Sequence, residues 1–237
     1  MSAVGISVPP VSMPLVVGIS IPPVLMPLVV GISMPPVCFM YEYRRLTPKE
    51  QQELVRQRLA RGYPAHEPPH PIQDRDYYLL TAVCYEHAPH MQTPQRRQDV
   101  LDRLFTAMTN VGVEIRAWVV LPNHYHLLTF VPDFKLLGAC FKEVHGPTAV
   151  TWNREDGRSG RKVWYRFTDR AMRSEAHYYT TLNYIHYNPV KHKWAASPYE
   201  WSESSVHWYL EHHGRDWLRD VWRTHPVRDY GQEWDDL

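Results

Sequence analysis

The order of local patterns predicts an α+β domain with a mainly antiparallel sheet and flanking helices. Two observations support this. Three runs of strand length, Tyr77–Tyr85, Val113–Leu121 and Tyr125–Val131, are rich in aromatic and β-branched residues. Between and after them, apolar residues recur at helical spacing, in the order strand–helix–strand–strand–helix–short strand–helix.

The elements follow in turn. Thr47-Pro48-Lys49-Glu50 reads as a capping box with proline at the first helical position, opening a helix that runs to Arg61. A Pro/His-rich connector, Ala65–Pro71, leads to the first strand. Pro94–Asn110 carries Val100, Leu101, Leu104, Phe105 and Met108 on one helical face. The second and third strands pair around the Pro122-Asn123 turn. A helix over Phe134–Trp152, a basic loop, and a short strand near Val163–Phe167 come next. The last core helix starts after Ser174. Beyond Trp194 the chain is crowded with aromatics, including Trp201, Trp208, Tyr209, Trp217 and Trp222, expected to pack an extension onto the core and to offer at most one or two rings for base stacking.

The first forty residues stand apart. They hold no charged side chain and repeat every 13 residues, at Val4-Gly5-Ile6-Ser7, Val17-Gly18-Ile19-Ser20 and Val30-Gly31-Ile32-Ser33, each followed by a Pro-Pro pair. Eight prolines here exclude a membrane-spanning helix, and no basic stretch precedes them to make a secretory signal. An extended, disordered segment is expected. The repeat reads as tandem-repeat DNA translated from an over-extended gene start, with Met34 or Met40 as the beginning; a Pro-rich docking tail is the alternative. The expected division is therefore repeat (1–40), capped helix and linker (41–76), catalytic domain (77–192) and C-terminal extension (193–237).

Net charge is only +1, but it is unevenly placed. Between residues 154 and 173, seven basic side chains (Arg154, Arg158, Arg161, Lys162, Arg166, Arg170, Arg173) face three acids, whereas residues 198–237 hold four arginines against nine acids. A local basic stripe is what a phosphate backbone would meet first. Cys38, Cys84 and Cys140 form no Cys-x-x-Cys pair, which argues against a zinc ribbon or a disulfide scaffold and for a reducing cytoplasm.

Two short stretches carry the chemistry. Pro122-Asn123-His124-Tyr125-His126 places two imidazoles at i, i+2, so a strand here points both to one face and Tyr125 to the other. Two neutral histidines on a rigid face form a ready metal-ligand pair. Tyr184-Ile185-His186-Tyr187-Asn188-Pro189-Val190 stacks Tyr184 above Asn188 on a helix that Pro189 soon disturbs. Tyr187 and His186 lie off that stripe, and Tyr178 and Tyr179 read as packing residues. An amide oxygen with two imidazoles and open positions suits Mg²⁺ or Mn²⁺ better than a closed zinc site. The set suggests a phenolic nucleophile attacking a metal-bound phosphodiester. A free tyrosine, with a pKa of about 10, needs a base or electrophilic pull at phosphorus.

Trp118–His126 (WVVLPNHYH) and Tyr184–His192 (YIHYNPVKH), about 60 residues apart, resemble the two signatures of the REP-associated tyrosine transposases. These are single-tyrosine HUH transposases of the insertion-sequence-200-like superfamily. The resemblance spans about Tyr77–Trp194, with echoes at Trp201–Ser205 and Tyr230–Asp235. It implies a ferredoxin-like fold and a divalent ion on His124, His126 and Asn188. It further implies cleavage and rejoining of single-stranded, hairpin-associated DNA through a 5′-phosphotyrosine on Tyr184. Resealing would then need no ATP, and no P-loop is present. Lys193-Trp194 depart from the glycine common after the second signature. A homodimer or a monomer is compatible with this reading. Two alternatives stand beside it: a DNA-binding protein of the same fold that no longer cuts, and a metal-dependent hydrolase in which the tyrosine only donates a hydrogen bond.

Overall fold

A computed structural model describes residues 47–60 and 76–232. The 13-residue repeat and the Pro/His-rich connector lie outside the described residues. Helix α1 (Pro48–Ala60) opens with the expected box: the Thr47 amide and hydroxyl donate to Glu50 Oε2 at 2.7 Å, and the Glu50 amide donates to Thr47 Oγ1 at 3.4 Å.

Four strands, β1 (Asp76–Val83), β2 (Glu114–Val120), β3 (His124–Val131) and β4 (Thr168–Ala171), form one sheet in the order β2-β3-β1-β4. Every neighbouring pair is antiparallel. With α2 (Pro94–Asn110) between β1 and β2, and α3 (Leu137–Glu155) between β3 and β4, this is the ferredoxin-like arrangement. Thr93 caps α2 by accepting from the Arg96 amide. A 3₁₀ turn at Phe134–Leu136 replaces the first turn of the expected third helix, because the Asp133 carboxylate accepts the Lys135 amide and tightens it.

Helices α2 and α3 cover one face of the sheet. Val100, Leu104, Met108, Phe141, Val144 and Trp152 pack there against Tyr78, Leu80, Tyr125 and Leu127. The opposite face is left for α4 (Glu175–Lys191), which Ser174 caps by accepting the His177 amide. Pro189 does not end α4. The helix runs two residues further, and the His192 amide closes it on Asn188 O and Val190 O. Pro189 stands in the last turn and, having no amide, cannot give the Ile185 carbonyl its helical hydrogen bond.

The short strand is displaced from its expected place at Val163–Phe167. Val163, Trp164 and Phe167 enter the core, and Trp164 bridges Cys84, just past the end of β1. The polar run Thr168-Asp169-Arg170-Ala171 pairs with β1 instead. It has no alternation of its own to announce it; β1 supplies the register.

Residues after α4 close the β2 edge. The Val120 amide donates to Glu203 O, the Ser205 amide to Trp118 O, and the Trp201 indole to Val120 O. Arg97 and Glu203 form a buried ion pair at 2.9 Å, with the guanidinium over Trp201. Helix α5 (Val206–Thr224) follows, interrupted at Gly214, whose φ of 82° requires glycine. Among the described residues, no helix is long and apolar enough to cross a membrane.

Candidate active site

The site lies on the sheet face that α4 covers. Strand alternation places His124 and His126 there and sends Tyr125 into the core. Both imidazoles are buried, at 2% and 0% exposure. Their rings are 5.0 Å apart. Each is oriented through Nδ1. Asn123 Oδ1 accepts from His124 Nδ1 at 2.8 Å, and Thr81 Oγ1 lies 2.7 Å from His126 Nδ1. Both Nε2 atoms are thereby turned toward α4.

Helix α4 meets them with Tyr184 and Asn188, one turn apart and both 0% exposed. Tyr184 Oη stands 3.4 Å from His126 Nε2, and Asn188 Oδ1 stands 3.0 Å from His124 Nε2. The four residues expected to carry the chemistry thus converge from two elements. With His124 Nδ1 donating to Asn123, its neutral Nε2 is a lone pair facing another lone pair on Asn188. That contact calls for a proton or a cation between them. Asn188 Nδ2 is buried without a hydrogen-bond partner, so the amide is not held by its nitrogen. Two imidazole nitrogens and an amide oxygen fit an oxygen- and nitrogen-bound divalent ion with open positions. No group of three or more His, Cys, Asp or Glu among the described residues is placed to hold a metal, so the set depends on Asn188.

Tyr184 is covered from the far side. Gly231 lies against its ring so closely that a Cβ there would overlap it, and the glycine has a φ of 78°. Tyr230 packs edge-on at 5.5 Å and bonds Thr181 Oγ1 at 2.5 Å and His177 Nε2 at 2.9 Å. Lys191 donates to Gly231 O at 2.6 Å and stands 5.2 Å over the Tyr184 ring. These contacts cover the Tyr184 ring on that side.

The seven basic residues do not form one stripe. Arg154, Arg158, Lys162, Arg166 and Arg173 are exposed. Arg161 is paired with Asp156 at 2.7 Å and bound to Asn153. Arg170 is buried on β4 opposite Leu79, on the histidine face. Burial draws its guanidinium below its ordinary pKa, while Tyr230, Tyr184 and Asp169 act to raise it. Of the other tyrosines, Tyr178 is buried against Tyr77, Tyr179 stacks on His225, and Tyr187 packs on Trp222. His186 bonds Ser205 Oγ at 2.9 Å.

Sequence reasoning did not single out Thr81, Lys191, His192, Tyr230 or Gly231. His192, whose ring is 4.9 Å from that of His124, closes the second signature, and Tyr230 and Gly231 open the echo at Tyr230–Asp235. Thr81 and Gly231 reach the site only through tertiary pairing.

No protein-family model matches the chain. The chain is 30% identical over 115 residues to a REP-associated tyrosine transposase of Escherichia coli (strain K12), a match covering 46% of this chain. It spans 64% of that relative's length. A solved structure of a REP-associated tyrosine transposase bound to a REP hairpin superimposes with a TM-score of 0.52 at 23% identity, covering 63% of this chain and 88% of that one. A putative transposase from Deinococcus radiodurans superimposes with a TM-score of 0.35 at 17% identity, too low to bear on the fold. The fold is shared with the hairpin-bound structure, and the resemblance read from the two signatures is borne out.

Proposed function

We propose that this chain is a REP-associated tyrosine transposase that cleaves and rejoins single-stranded DNA beside a hairpin. One observation carries the reading: the Tyr184 hydroxyl stands 3.4 Å from His126 Nε2, beside the His124–Asn188 pair. Tyr184 Oη attacks the phosphorus, and the bond from phosphorus to the 3′ oxygen breaks. The 5′ phosphate stays on the tyrosine, the other end leaves as a 3′ hydroxyl, and a second 3′ hydroxyl reverses the step. His124, His126 and Asn188 would hold Mg²⁺ or Mn²⁺, which supplies charge neutralisation at the phosphate and the departing oxygen. Thr81 and Asn123 fix the imidazoles. Arg170 places a buried positive charge within electrostatic reach of the phenol.

Exposed Arg154, Arg158, Lys162, Arg166 and Arg173 are the proposed phosphate contacts. Neutralising three of them should reduce the slope of log affinity against log salt by roughly 0.7 for each phosphate that no longer meets a cation. The reading that the protein binds DNA without cutting draws on the complete burial of Tyr184. The hydrolase reading leaves no protein-bound product. Incubation with a hairpin oligonucleotide labelled at its 3′ end, in Mn²⁺, followed by denaturing electrophoresis, separates all three. Label retained by the protein, and abolished by chelation or by His124→Ala, supports the transposase. Binding without retained label supports the silent reading, and cleavage without it supports the hydrolase.

A further inference from the structure

We propose that Tyr165, Tyr85 and Lys162 form a stacking platform for an unpaired base next to the scissile phosphate. The inference rests on the transposase reading and adds a subsite to it.

Register places these residues beside the histidines. Cys84 and Trp164 bridge antiparallel, so Tyr165 stands opposite Val83 and Tyr85 opposite Val163. The bonds from the Tyr165 amide to Val83 O and from the Tyr85 amide to Val163 O agree. Val83 in turn pairs with His124 on its other side. His124, Val83 and Tyr165 therefore form one row across the sheet, with Tyr165 two strand spacings, about 10 Å, from the first imidazole. Cys84 and Trp164 point into the core, so Tyr165 projects to the histidine face. Helix α4 packs over β2 and β3, and this end of the row stays open.

The side chains are arranged as a nucleic-acid surface. The rings of Tyr85 and Tyr165 lie 6.2 Å apart at 29°. Tyr165 is 57% exposed, and nothing among the described aromatic contacts covers its outer face. Lys162 Nζ stands over both rings, 4.4 Å from the Tyr85 centroid and 5.0 Å from the Tyr165 centroid, so a positive charge is held on the platform itself. The 3₁₀ turn that begins at Tyr85 places Glu86 and His87 at φ of 55° and 53°, two successive non-glycine residues in the left-handed region. Such a backbone persists only when its surroundings impose it. Here the bonds from the Cys84 amide to Asn123 O and from the His87 amide to Cys84 O do so. Asn123 also orients His124, so platform and imidazole hang from one turn.

The test is a DNA hairpin with a single-stranded tail in which 2-aminopurine replaces successive tail bases. Wild-type protein should quench its fluorescence at one or two positions flanking the cleavage site. Tyr165→Ala should abolish that quenching and weaken tail binding roughly 5- to 100-fold, the loss of one stacked base. Tyr165→Phe should retain both. Lys162→Gln should keep the quenching and lower the salt slope. Thermal melting should show Tyr165→Ala folded, because the ring is exposed. Unchanged quenching and affinity in Tyr165→Ala, with wild type still forming a protein–DNA adduct, overturns the platform and leaves the transposase reading standing. Tyr165-dependent quenching without any adduct keeps the platform and overturns the nuclease. Equal dependence on Tyr165 with a fully duplex tail overturns the preference for unpaired bases.

Discussion

The protein holds two buried tyrosine–histidine pairs, one on each face of the same strand. On the core face, Tyr125 Oη stands 2.7 Å from His145 Nε2. On the other face, Tyr184 stands 3.4 Å from His126 Nε2. Aromatic rings enclose the first pair: Trp164 stacks on His145 at 4.3 Å, and Phe141 stacks at 5.5 Å. Burial pulls His145 down to about 3 and raises Tyr125 well above the ordinary phenol value. That pair stays neutral and fixed. The second pair is surrounded by acceptors, His124, Asn188 and Thr81, with Arg170 in electrostatic reach and a glycine as its lid. The residue types match, but the proposed cation and phosphate suit only the second pair, which has acceptors around it.

Removing one oxygen from each tyrosine should separate the two pairs most clearly. Tyr184→Phe should eliminate the covalent adduct, a loss of at least about 10³-fold, and shift the melting temperature by no more than about 2 °C. Tyr125→Phe should do the reverse. It leaves His145 Nε2 buried without its hydrogen-bond partner, costing about 1–3 kcal/mol, and so lowers melting by several degrees while adduct formation survives. Denaturing gels and thermal melts of both variants check the double dissociation.

The core pair also predicts a pH dependence. His145 is neutral in the fold down to about 3, whereas the unfolded chain takes up that proton near 6.5. The folded value is depressed, so the stability is fully present above pH 6.5 and is lost as pH falls from there toward 3. His186, also pulled down to about 3 by burial, adds to the same window. Melting temperatures between pH 7.5 and 5 should fall for wild type. His145→Gln should flatten that acid slope by about one proton, approaching roughly 1.4 kcal/mol per pH unit. An unchanged slope would mean that His145 is not held neutral.

The smallest effect concerns the lid. Gly231→Ala forces a Cβ into the Tyr184 ring at a backbone angle that alanine resists. The segment should lift, adduct formation should rise severalfold, and melting should drop by about 2–4 °C. A slower or unchanged rate would show that the cover does not limit access to the phenol.

Legibility in the sequence follows from the range of the interactions. The period of two along β3 placed His124 and His126 together, and helical spacing stacked Tyr184 on Asn188, because both patterns are local. Thr81 joins the site only because β1 pairs with β3 at that register, 45 residues away. Gly231 joins it by packing on a ring 47 residues earlier in the chain, which no local pattern encodes. The misplaced fourth strand has the same cause. Val163 to Phe167 reads as a strand because Val163, Trp164 and Phe167 are apolar, and they are apolar because they fill the core. Arg170, grouped by charge with its exposed neighbours, is buried because β4 alternation turns it to the histidine face of the sheet.

Mass spectrometry of the trapped adduct tests the central claim most directly. Wild-type protein is incubated with the hairpin substrate and Mn²⁺, digested with nuclease and protease, and searched for a tyrosine bearing a 5′-linked nucleotide. That nucleotide is expected on Tyr184 alone. Its presence on Tyr125, Tyr178, Tyr179 or Tyr187, or its absence from a protein that cleaves the strand, contradicts the assignment of Tyr184 as nucleophile.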